Sequence, residues 1–233
     1  MQSEEIARVV AEVLKRLEKE DFGGVVTAPA PAAIPQPTPP YGGEVSLPHV
    51  VGERPSGCGG VVYPTVDAAV KVAQKAQAVF QDQGLEVRRA VIRAMRKAAV
   101  ADAERLAKLA VAETGLGRWE DKVQKNLVCA IRTPGVEDLV SRAYTGDQGL
   151  TLVEYAPYGV VAAVTPSTNP AATIINNAIS ILSAGNAVVF APHPASFKTC
   201  VEAMSILCEA AMQAGAPRGL ISTYAEASQE NTK

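Results

Sequence analysis

The sequence predicts an α/β fold in which a layer of helices precedes a parallel sheet, and three observations support this. Residues 60 to about 140 carry apolar side chains at helical spacing. Two continuously apolar runs, VVAAVTP (160–166) and AVVFAP (187–192), are typical of strands buried on both faces of a parallel sheet. A helical pattern follows each run, and a third strand-like run, GLISTYA (219–225), ends the series.

The first twenty residues predict a short amphipathic helix. Ser3 is a suitable N-cap, and Glu4 and Glu5 suit the first turn. A helix of this length is marginal in water without a packing partner, so we expect it to dock on another surface. Its apolar side chains share one face, and they are Ile6, Val9, Val10, Val13, Leu14 and Leu17.

A proline-rich linker is predicted for residues 21–59. Prolines at seven positions between 28 and 48 remove backbone donors and favour extended polyproline II structure. We therefore interpret residues 1–20 as a helix tethered to bind away from the globular part, which spans residues 60–233. The alternative is that the helix folds back onto that globular part.

The helical layer is predicted to begin at Thr65, an N-cap residue, and its first helix runs to about Gln83, with Gly84 as its stop. A longer helical stretch covers residues 85–114, with a break near residues 100–102 and Gly115 as its end. A third helix covers about Trp119–Ile131. Thr133-Pro134 resembles an N-cap followed by a proline at N1, which predicts a short helix through Val140.

The second half predicts a βαβαβ unit. LTLVEYAPYG (150–159) is interpreted as a strand ending in a turn, and the strands 160–166, 187–192 and 219–225 alternate with helices at about 171–183 and 196–214. Right-handed crossovers would make this sheet parallel. The unit is half of a doubly wound, nucleotide-binding type of domain. A third strand of this kind should lead into another helix, and none follows it in this sequence.

Composition excludes several classes of protein. The chain has 233 residues and a net charge of −2, which argues against non-specific nucleic-acid binding. No apolar run approaches the roughly 20 residues that span a bilayer, and the charged N-terminus does not resemble a secretory signal. The four cysteines fit neither a zinc pattern nor a disulfide framework, so we expect a reduced cytoplasmic protein without a metal, a nucleic-acid partner or a membrane partner.

The loop after residues 160–165 carries the first candidate chemistry. The dinucleotide fingerprint G-x-G-x-x-G is absent there, and Thr165-Pro166-Ser167-Thr168-Asn169-Pro170 stands in its place. Open α/β sheets place their ligands at this end of their strands. The Asn169 amide could donate to an oxygen that develops negative charge. Asparagine before proline is also a good N-cap, and this structural alternative stays open.

The histidines and cysteines give weaker signals. His193 lies between two prolines after the strand 187–192, where it suits either a ligand contact or an ordinary surface loop. His49 is the only other histidine in the sequence, which disfavours a Ser–His–Asp catalytic triad. Cys58 lies among glycines, but no histidine or carboxylate is positioned to activate it. Three cysteines are expected to be packing residues on helices: Cys129, Cys200 and Cys208.

Several long motifs in order resemble one family. GVVAAVTPSTNPAATIINNAISILSAGNAVVFAPHPAS (159–196), VAETGLGRWEDKVQKN (111–126) and TPGVEDL (133–139) are similar to the aldehyde dehydrogenase superfamily. They resemble most the CoA-acylating propionaldehyde and acetaldehyde dehydrogenases of bacterial microcompartments. The resemblance covers about Gly60 to the end. Hydrolytic members have an aromatic residue before the asparagine that matches Asn169, whereas this chain has Ser-Thr there, as acylating members do.

The resemblance implies a mechanism and a set of ligands. A cysteine thiolate attacks the aldehyde, the amide matching Asn169 holds the oxyanion, hydride passes to NAD⁺, and CoA takes the acyl group from the thioester. Thr165, Pro166 and Ser167 would line the cofactor cleft. The loop Ala191–Pro194, which includes His193, would lie near the adenosine part of the cofactor. Many relatives have a ribose-binding lysine matching Ala191, so its absence puts that contact in doubt and fits a pocket shared with CoA.

The resemblance also implies location and partners. Residues 1–20 and the linker are similar to the encapsulation peptide that directs such enzymes to the shell proteins of a microcompartment, so we expect a location in its lumen. Relatives form homo-oligomers, partly through strands like Leu150–Tyr158. The family's nucleophilic cysteine lies in a region beyond residue 233, so the chain is expected to be a fragment that is inactive alone. The alternatives are a non-catalytic cargo module and, more weakly, a reductase of acyl phosphates.

Overall fold

The computed structural model describes residues 60–225 together with Arg8, Val10–Glu12 and Lys15 near the N-terminus. The latter residues are helical, in agreement with the predicted first helix. Val10, from its apolar face, is partly buried and packs against the core of the globular part, whereas Arg8 and Lys15 are exposed. This contact fits the folded-back arrangement. The remainder of the tether and Cys58 lie outside the described residues.

Four helices form the first layer, and each begins or ends for a local reason. They are α1 (Val66–Gln81), α2 (Leu85–Ala101), α3 (Ala103–Thr114) and α4 (Trp119–Arg132). Thr65 caps α1, because its hydroxyl accepts the amide proton of Ala68 at 3.2 Å. Gly115 ends α3 with φ +68°, a left-handed conformation that favours glycine. The predicted bounds and the break near Asp102 are thus confirmed.

Two predictions about this layer were wrong. Gly84 does not stop α1 with a left-handed turn; its φ is −63°, and it is instead the N-cap position of α2. The short helix expected from Thr133 to Val140 is a single 3₁₀ turn, Val136–Asp138. The buried Arg96 accounts for the second error, because its guanidinium donates to the carbonyl of Thr133 at 2.7 Å and holds this segment in an irregular path.

The sheet has four parallel strands in the order β1-β6-β5-β4, namely β1 (Val62–Tyr63), β6 (Ile221–Tyr224), β5 (Ala187–Pro192) and β4 (Val160–Thr165). The βαβαβ unit is confirmed, with α5 (Pro170–Ser183) and α6 (Phe197–Gln213) as its crossovers. Strand β1 was not predicted. It is too short for a pattern, and it forms because its backbone pairs with β6.

Strand β4 is not buried on both faces, contrary to the expectation from its apolar sequence. Ala163 and Thr165 are buried, whereas Ala162 is exposed and Val164 is 64% exposed. The physical reason is position: β4 is the edge of the described sheet, and α1 packs mainly over β5 and β6. Strand β5, which lies inside the sheet, is almost completely buried, as predicted.

An exposed hairpin separates the two halves. Strands β2 (Arg142–Gly146) and β3 (Gly149–Val153) pair antiparallel, and every residue in both is exposed. The sequence predicted a single strand that begins at Leu150 and ends in a turn at Pro157-Tyr158-Gly159. Strand β3 ends at Val153, and β2 was missed. Strand β2 lacks an apolar run, so its partner rather than its own composition defines it.

Candidate functional site

The candidate site lies at the carboxyl ends of β4 and β5, which meet at one edge of the sheet. Thr165 pairs in register with Pro192, and its carbonyl accepts the amide proton of His193 at 3.2 Å. The Thr165 side chain is buried, with its hydroxyl 3.7 Å from the Cys200 sulfur. Thr165 is therefore a fixed part of the strand end. Pro166 is exposed and Ser167 is half-buried beside it.

Ala191 and His193 have different surroundings. Ala191 is half-buried and lines a groove of about 470 Å³ between α1 and the exposed face of β4, together with Ala162 and Val164. The His193 side chain is exposed, and its Nδ1 accepts the amide proton of Ala195 at 3.1 Å, which caps a 3₁₀ turn, Pro194–Ser196. His193 thus has a structural role that the sequence did not reveal.

Two lysines of α4 hold the loop that leads to Asn169. The Lys122 ammonium donates to the carbonyl of Thr168 at 2.6 Å, and the Lys125 ammonium donates to Asn169 Oδ1 at 3.1 Å. The lysines lie three residues apart on one face of α4, so they contact successive residues of the loop. Burial, and then the nearby charge of Lys125, lower the pKa of Lys122 below its ordinary value.

Asn169 stands at the N-cap position of α5, but its side chain makes no capping hydrogen bond. Its backbone carbonyl instead accepts the amide proton of Thr173 at 3.0 Å, and Pro170 occupies N1, as predicted. Asn169 Nδ2 donates to Thr168 Oγ1 over a long 3.4 Å. Because an amide NH₂ carries two protons, at least one stays available for a substrate oxygen. The capping alternative therefore does not account for this side chain.

Asn169 faces a second groove, of about 450 Å³, between α4 and α5. Val128 and the half-buried Cys129 form part of its wall, and Thr173 and Asn176 lie opposite. Asn169 and Ala191 thus line different grooves, one on the α4–α5 side of the loop and one on the α1 side of β4. A ligand that contacts both must pass around the end of β4.

Positive charge gathers around Asn169. Lys122 and Lys125 contact its loop, and the N-terminus of α5, with its partial positive charge, begins at Pro170. By contrast, the N-terminus of α6 is closed by Glu113, whose carboxylate accepts the amide protons of Lys198 and Thr199 at 2.8 and 2.7 Å. The corner at Asn169 can therefore stabilise an oxygen that develops negative charge.

The described cysteines are not activated thiols. Cys200 and Cys208 are buried in the core, as predicted, and burial raises the pKa of each thiol to about 11. Cys129 is half-exposed in the α4–α5 groove rather than in the core, and desolvation raises its pKa as well. None of these three thiols has the depressed pKa of a nucleophile.

The lysines and Glu113 were missed as candidate residues. All three lie in the stretch 111–126, which carried part of the resemblance, but their roles depend on contacts with residues 44 to 86 positions away. The spacing of Lys122 and Lys125 on one helical face was the available signal. Among the described residues, no cluster of His, Cys, Asp or Glu side chains could hold a metal ion.

None of the helices in the described part of the chain is long and apolar enough to cross a bilayer.

The sequence profile of the aldehyde dehydrogenase family matches residues 61–232. The acetaldehyde dehydrogenase (acetylating) EutE of Salmonella typhimurium is 53% identical over 167 residues, which are 70% of this chain and 35% of that protein. The propanal dehydrogenase (CoA-propanoylating) of the same organism is 40% identical over 190 residues, or 82% of this chain and 40% of that protein. The chain therefore spans about 35–40% of the length of these relatives.

Solved structures agree with these matches. A propionaldehyde dehydrogenase from the fucose utilisation microcompartment of Clostridium phytofermentans superposes with a TM-score of 0.72 and 41% identity, over 74% of this chain and 40% of that one. A propionaldehyde dehydrogenase of Rhodopseudomonas palustris, solved with bound CoA and an acylated cysteine, gives a TM-score of 0.72 and 40% identity over the same shares. On its sequence, its parallel sheet and these matches, the chain belongs to the aldehyde dehydrogenase family.

Proposed function

We propose that this chain supplies the oxyanion-binding amide and part of the cofactor site of a CoA-acylating aldehyde dehydrogenase. The substrate class is a short-chain aldehyde such as acetaldehyde or propionaldehyde. One observation carries the proposal: the Asn169 amide faces a groove with a donor proton available, at a corner where Lys122, Lys125 and the start of α5 collect positive charge.

The proposed reaction explains why an amide is needed there. A cysteine thiolate forms a C–S bond with the aldehyde carbon, and the carbonyl π electrons move to the oxygen. Asn169 Nδ2 donates to this oxyanion. Such a donor is worth about 2.7–4 kcal/mol in other enzymes. As the C=O bond re-forms, the aldehyde hydrogen leaves as hydride, for which a bound NAD⁺ would be the acceptor. The thiol of CoA would then attack the resulting thioester, form acyl-CoA and release the cysteine thiol.

The α4–α5 groove fits the aldehyde. It lies directly beside Asn169, and Val128, Cys129 and Ala172 provide apolar contacts for a short alkyl chain. The groove is lined by Gln124, Thr173, Asn176 and Asn177 as well, so its walls are partly polar. This composition suits a small aldehyde better than a long aliphatic one.

The α1 groove fits the adenosine part of a dinucleotide or of CoA. The groove is large enough for a small ligand, and the small side chains of Ala162 and Ala191 with Gly159 leave room for a flat ring. Thr165, Pro166, Ser167 and His193 lie at or just after the carboxyl ends of β4 and β5, the strands that line this groove, and are proposed to contact the same ligand. Two similar solved structures support these ligands. An engineered glycolyl-CoA reductase was solved with NADP⁺, and the propionaldehyde dehydrogenase of Rhodopseudomonas palustris was solved with CoA. The hydride acceptor supplies the oxidising chemistry, and this chain's residues bind and orient it.

The nucleophile is proposed to come from outside this chain. The thiols of the described cysteines, Cys129, Cys200 and Cys208, have raised pKa values, so none of these three suits the reaction. Cys58 lies outside the described residues, and its sequence context does not resemble the motif of the family's nucleophile. We therefore expect the chain alone to be inactive and to need the cysteine-bearing region of the family. The exposed hairpin, with Tyr144, Leu150 and Leu152 more than half exposed, supports self-association of the completed enzyme.

A chimera tests this function. Residues 1–233 would be joined to the part of Escherichia coli EutE that follows its matched region, because that protein is 53% identical here. The chimera should form NADH from propionaldehyde in a CoA-dependent way, and the 233-residue chain should form none. NADH formation by the chain alone, or a folded chimera without activity, would contradict the proposal.

We also propose a second role, in which residues 1–20 bind a microcompartment shell protein and localise the chain in the lumen. The apolar face predicted for residues 1–20 supports this role. Because Val10 packs on the core of the globular part, the helix would have to leave that surface before it binds a shell protein. Fluorescent protein fused to residues 1–20 should be found inside purified microcompartments, and a Val10→Asp variant should not. Equal encapsulation of the two would exclude this role.

A further inference from the structure

Asn169 can act as an oxyanion donor only if its amide is turned the right way. The side chain has an acceptor end, Oδ1, and a donor end, Nδ2, which are similar in size. A half-turn about χ2 exchanges them and would place an acceptor where the oxyanion must be stabilised. Something in the protein must therefore select one orientation.

Lys125 is placed to make that selection. Its ammonium lies 3.1 Å from Asn169 Oδ1, and an ammonium has donors but no acceptor. It can pair with Oδ1 and never with Nδ2, so the contact leaves Nδ2 on the other side. Rotation of the amide would lose this hydrogen bond and would bring the NH₂ group against the cation.

The same contact strengthens the donor. A positive charge at Oδ1 draws electron density from the amide and makes its N–H groups better donors. Lys122 supports the geometry one turn away, since it fixes the carbonyl of Thr168 at 2.6 Å and thus the backbone that carries Asn169. The two lysines therefore have separate roles, because Lys122 holds the backbone and Lys125 orients the amide.

We propose that Lys125 is a positioning residue, which orients Asn169 so that Nδ2 faces the developing oxyanion. This inference rests on the proposed function of Asn169. It predicts that Lys125 affects the transition state rather than aldehyde binding, because the ground-state carbonyl carries little charge. Loss of Lys125 should thus lower kcat and leave KM nearly unchanged.

The activity test uses the chimera with Lys125→Met, Lys125→Arg and, as a matched control, Lys75→Met. Lys75 is an exposed lysine of α1 that lines neither groove. Lys125→Met should lower kcat about tenfold, the size expected for one charged hydrogen bond. Lys125→Arg should recover most of kcat, since a guanidinium also only donates. Lys75→Met should match the parent.

A spectroscopic test on the 233-residue chain needs no activity. The side-chain amide resonances of Asn169 are identified by their loss in Asn169→Ala. Lys125→Met should shift these resonances, Lys125→Arg should shift them less, and Lys75→Met should leave them in place. A loop that merely loosened would instead shift the backbone amide of Thr168 and lower the thermal unfolding midpoint.

The outcomes separate this inference from the proposed function. If Asn169→Ala impairs the chimera but Lys125→Met does not, the orientation role of Lys125 is wrong and the function of Asn169 stands. If Asn169→Ala leaves the chimera fully active, the oxyanion role itself is wrong. In that case unchanged amide resonances in Lys125→Met would overturn the contact as well, and shifted ones would support it.

Discussion

The Lys122 ammonium lies 2.6 Å from the carbonyl oxygen of Thr168 and ties α4 to the loop that follows β4. Only 7% of Lys122 is exposed, so the contact replaces water around the charge. It joins the helical layer, which precedes β4 in the chain, to the candidate site at the carboxyl ends of β4 and β5. Substitutions in α4 should therefore alter the position of Asn169.

Lys122 gives the protein a measurable pH dependence. Its folded pKa is lowered by burial, so between that value and the unfolded value of 10.5 the unfolded chain binds more protons. The free energy of unfolding attributable to Lys122 should therefore rise with pH in this window. Denaturant titrations of the parent and of Lys122→Met, between neutral and alkaline pH, measure the difference.

The Lys125→Met variant provides the control for that titration. The charge of Lys125 is the second cause of the lowered pKa of Lys122, so its removal should narrow the pH window. The decisive quantity is the free energy of unfolding of the parent minus that of Lys122→Met. If this difference falls with pH, or does not change, the charged form of Lys122 is not disfavoured in the folded state.

Glu113 should contribute to stability through α6. Its carboxylate accepts the amide protons of Lys198 and Thr199 and the Thr199 hydroxyl proton, at 2.6–2.8 Å. Glu113→Ala should lower the free energy of unfolding by about 2 kcal/mol, because a helix cap and a charged hydrogen bond are lost. Glu86→Ala, which removes an exposed surface pair with Arg89, should have little effect. Equal effects of the two substitutions would refute the capping role.

The buried thiols should resist alkylation. With a pKa of about 11, Cys200 and Cys208 carry on the order of one thiolate per thousand molecules at pH 8. Burial also excludes the reagent. Iodoacetamide followed by peptide mass spectrometry should find both cysteines unmodified in the folded chain and modified after denaturation. Rapid labelling of either one in the folded chain would contradict the packing of α6.

Local sequence signals predicted most of the fold. The N-cap at Thr65, the glycine stop at Gly115 and the buried run of β5 each follow from the chemistry of a few adjacent residues. Strands β1 and β2 could not be found in this way, since both are defined by pairing with a partner. The exposure of β4 likewise depends on how far α1 extends across the sheet, which no local pattern encodes.

The candidate site was predicted less completely. The loop Thr165–Asn169 follows from the position of a buried strand, and the structure does place it beside Pro192 at the sheet edge. The residues that donate hydrogen bonds to the loop, Lys122 and Lys125, lie on a helix more than forty positions earlier. Because their partners are a backbone carbonyl and an amide oxygen, no complementary charge in the sequence reveals the pairing.

The most direct test of the account is the effect of Asn169→Ala on CoA-dependent NADH formation by the chimera. The control is Ser180→Ala, because Ser180 is an exposed residue of the same helix whose hydroxyl bonds within α5. Asn169→Ala should lower kcat by about 10²–10³, the loss expected for one oxyanion donor, and Ser180→Ala should not lower it. An Asn169→Ala chimera as active as its parent would contradict the assignment of Asn169 and with it the central claim.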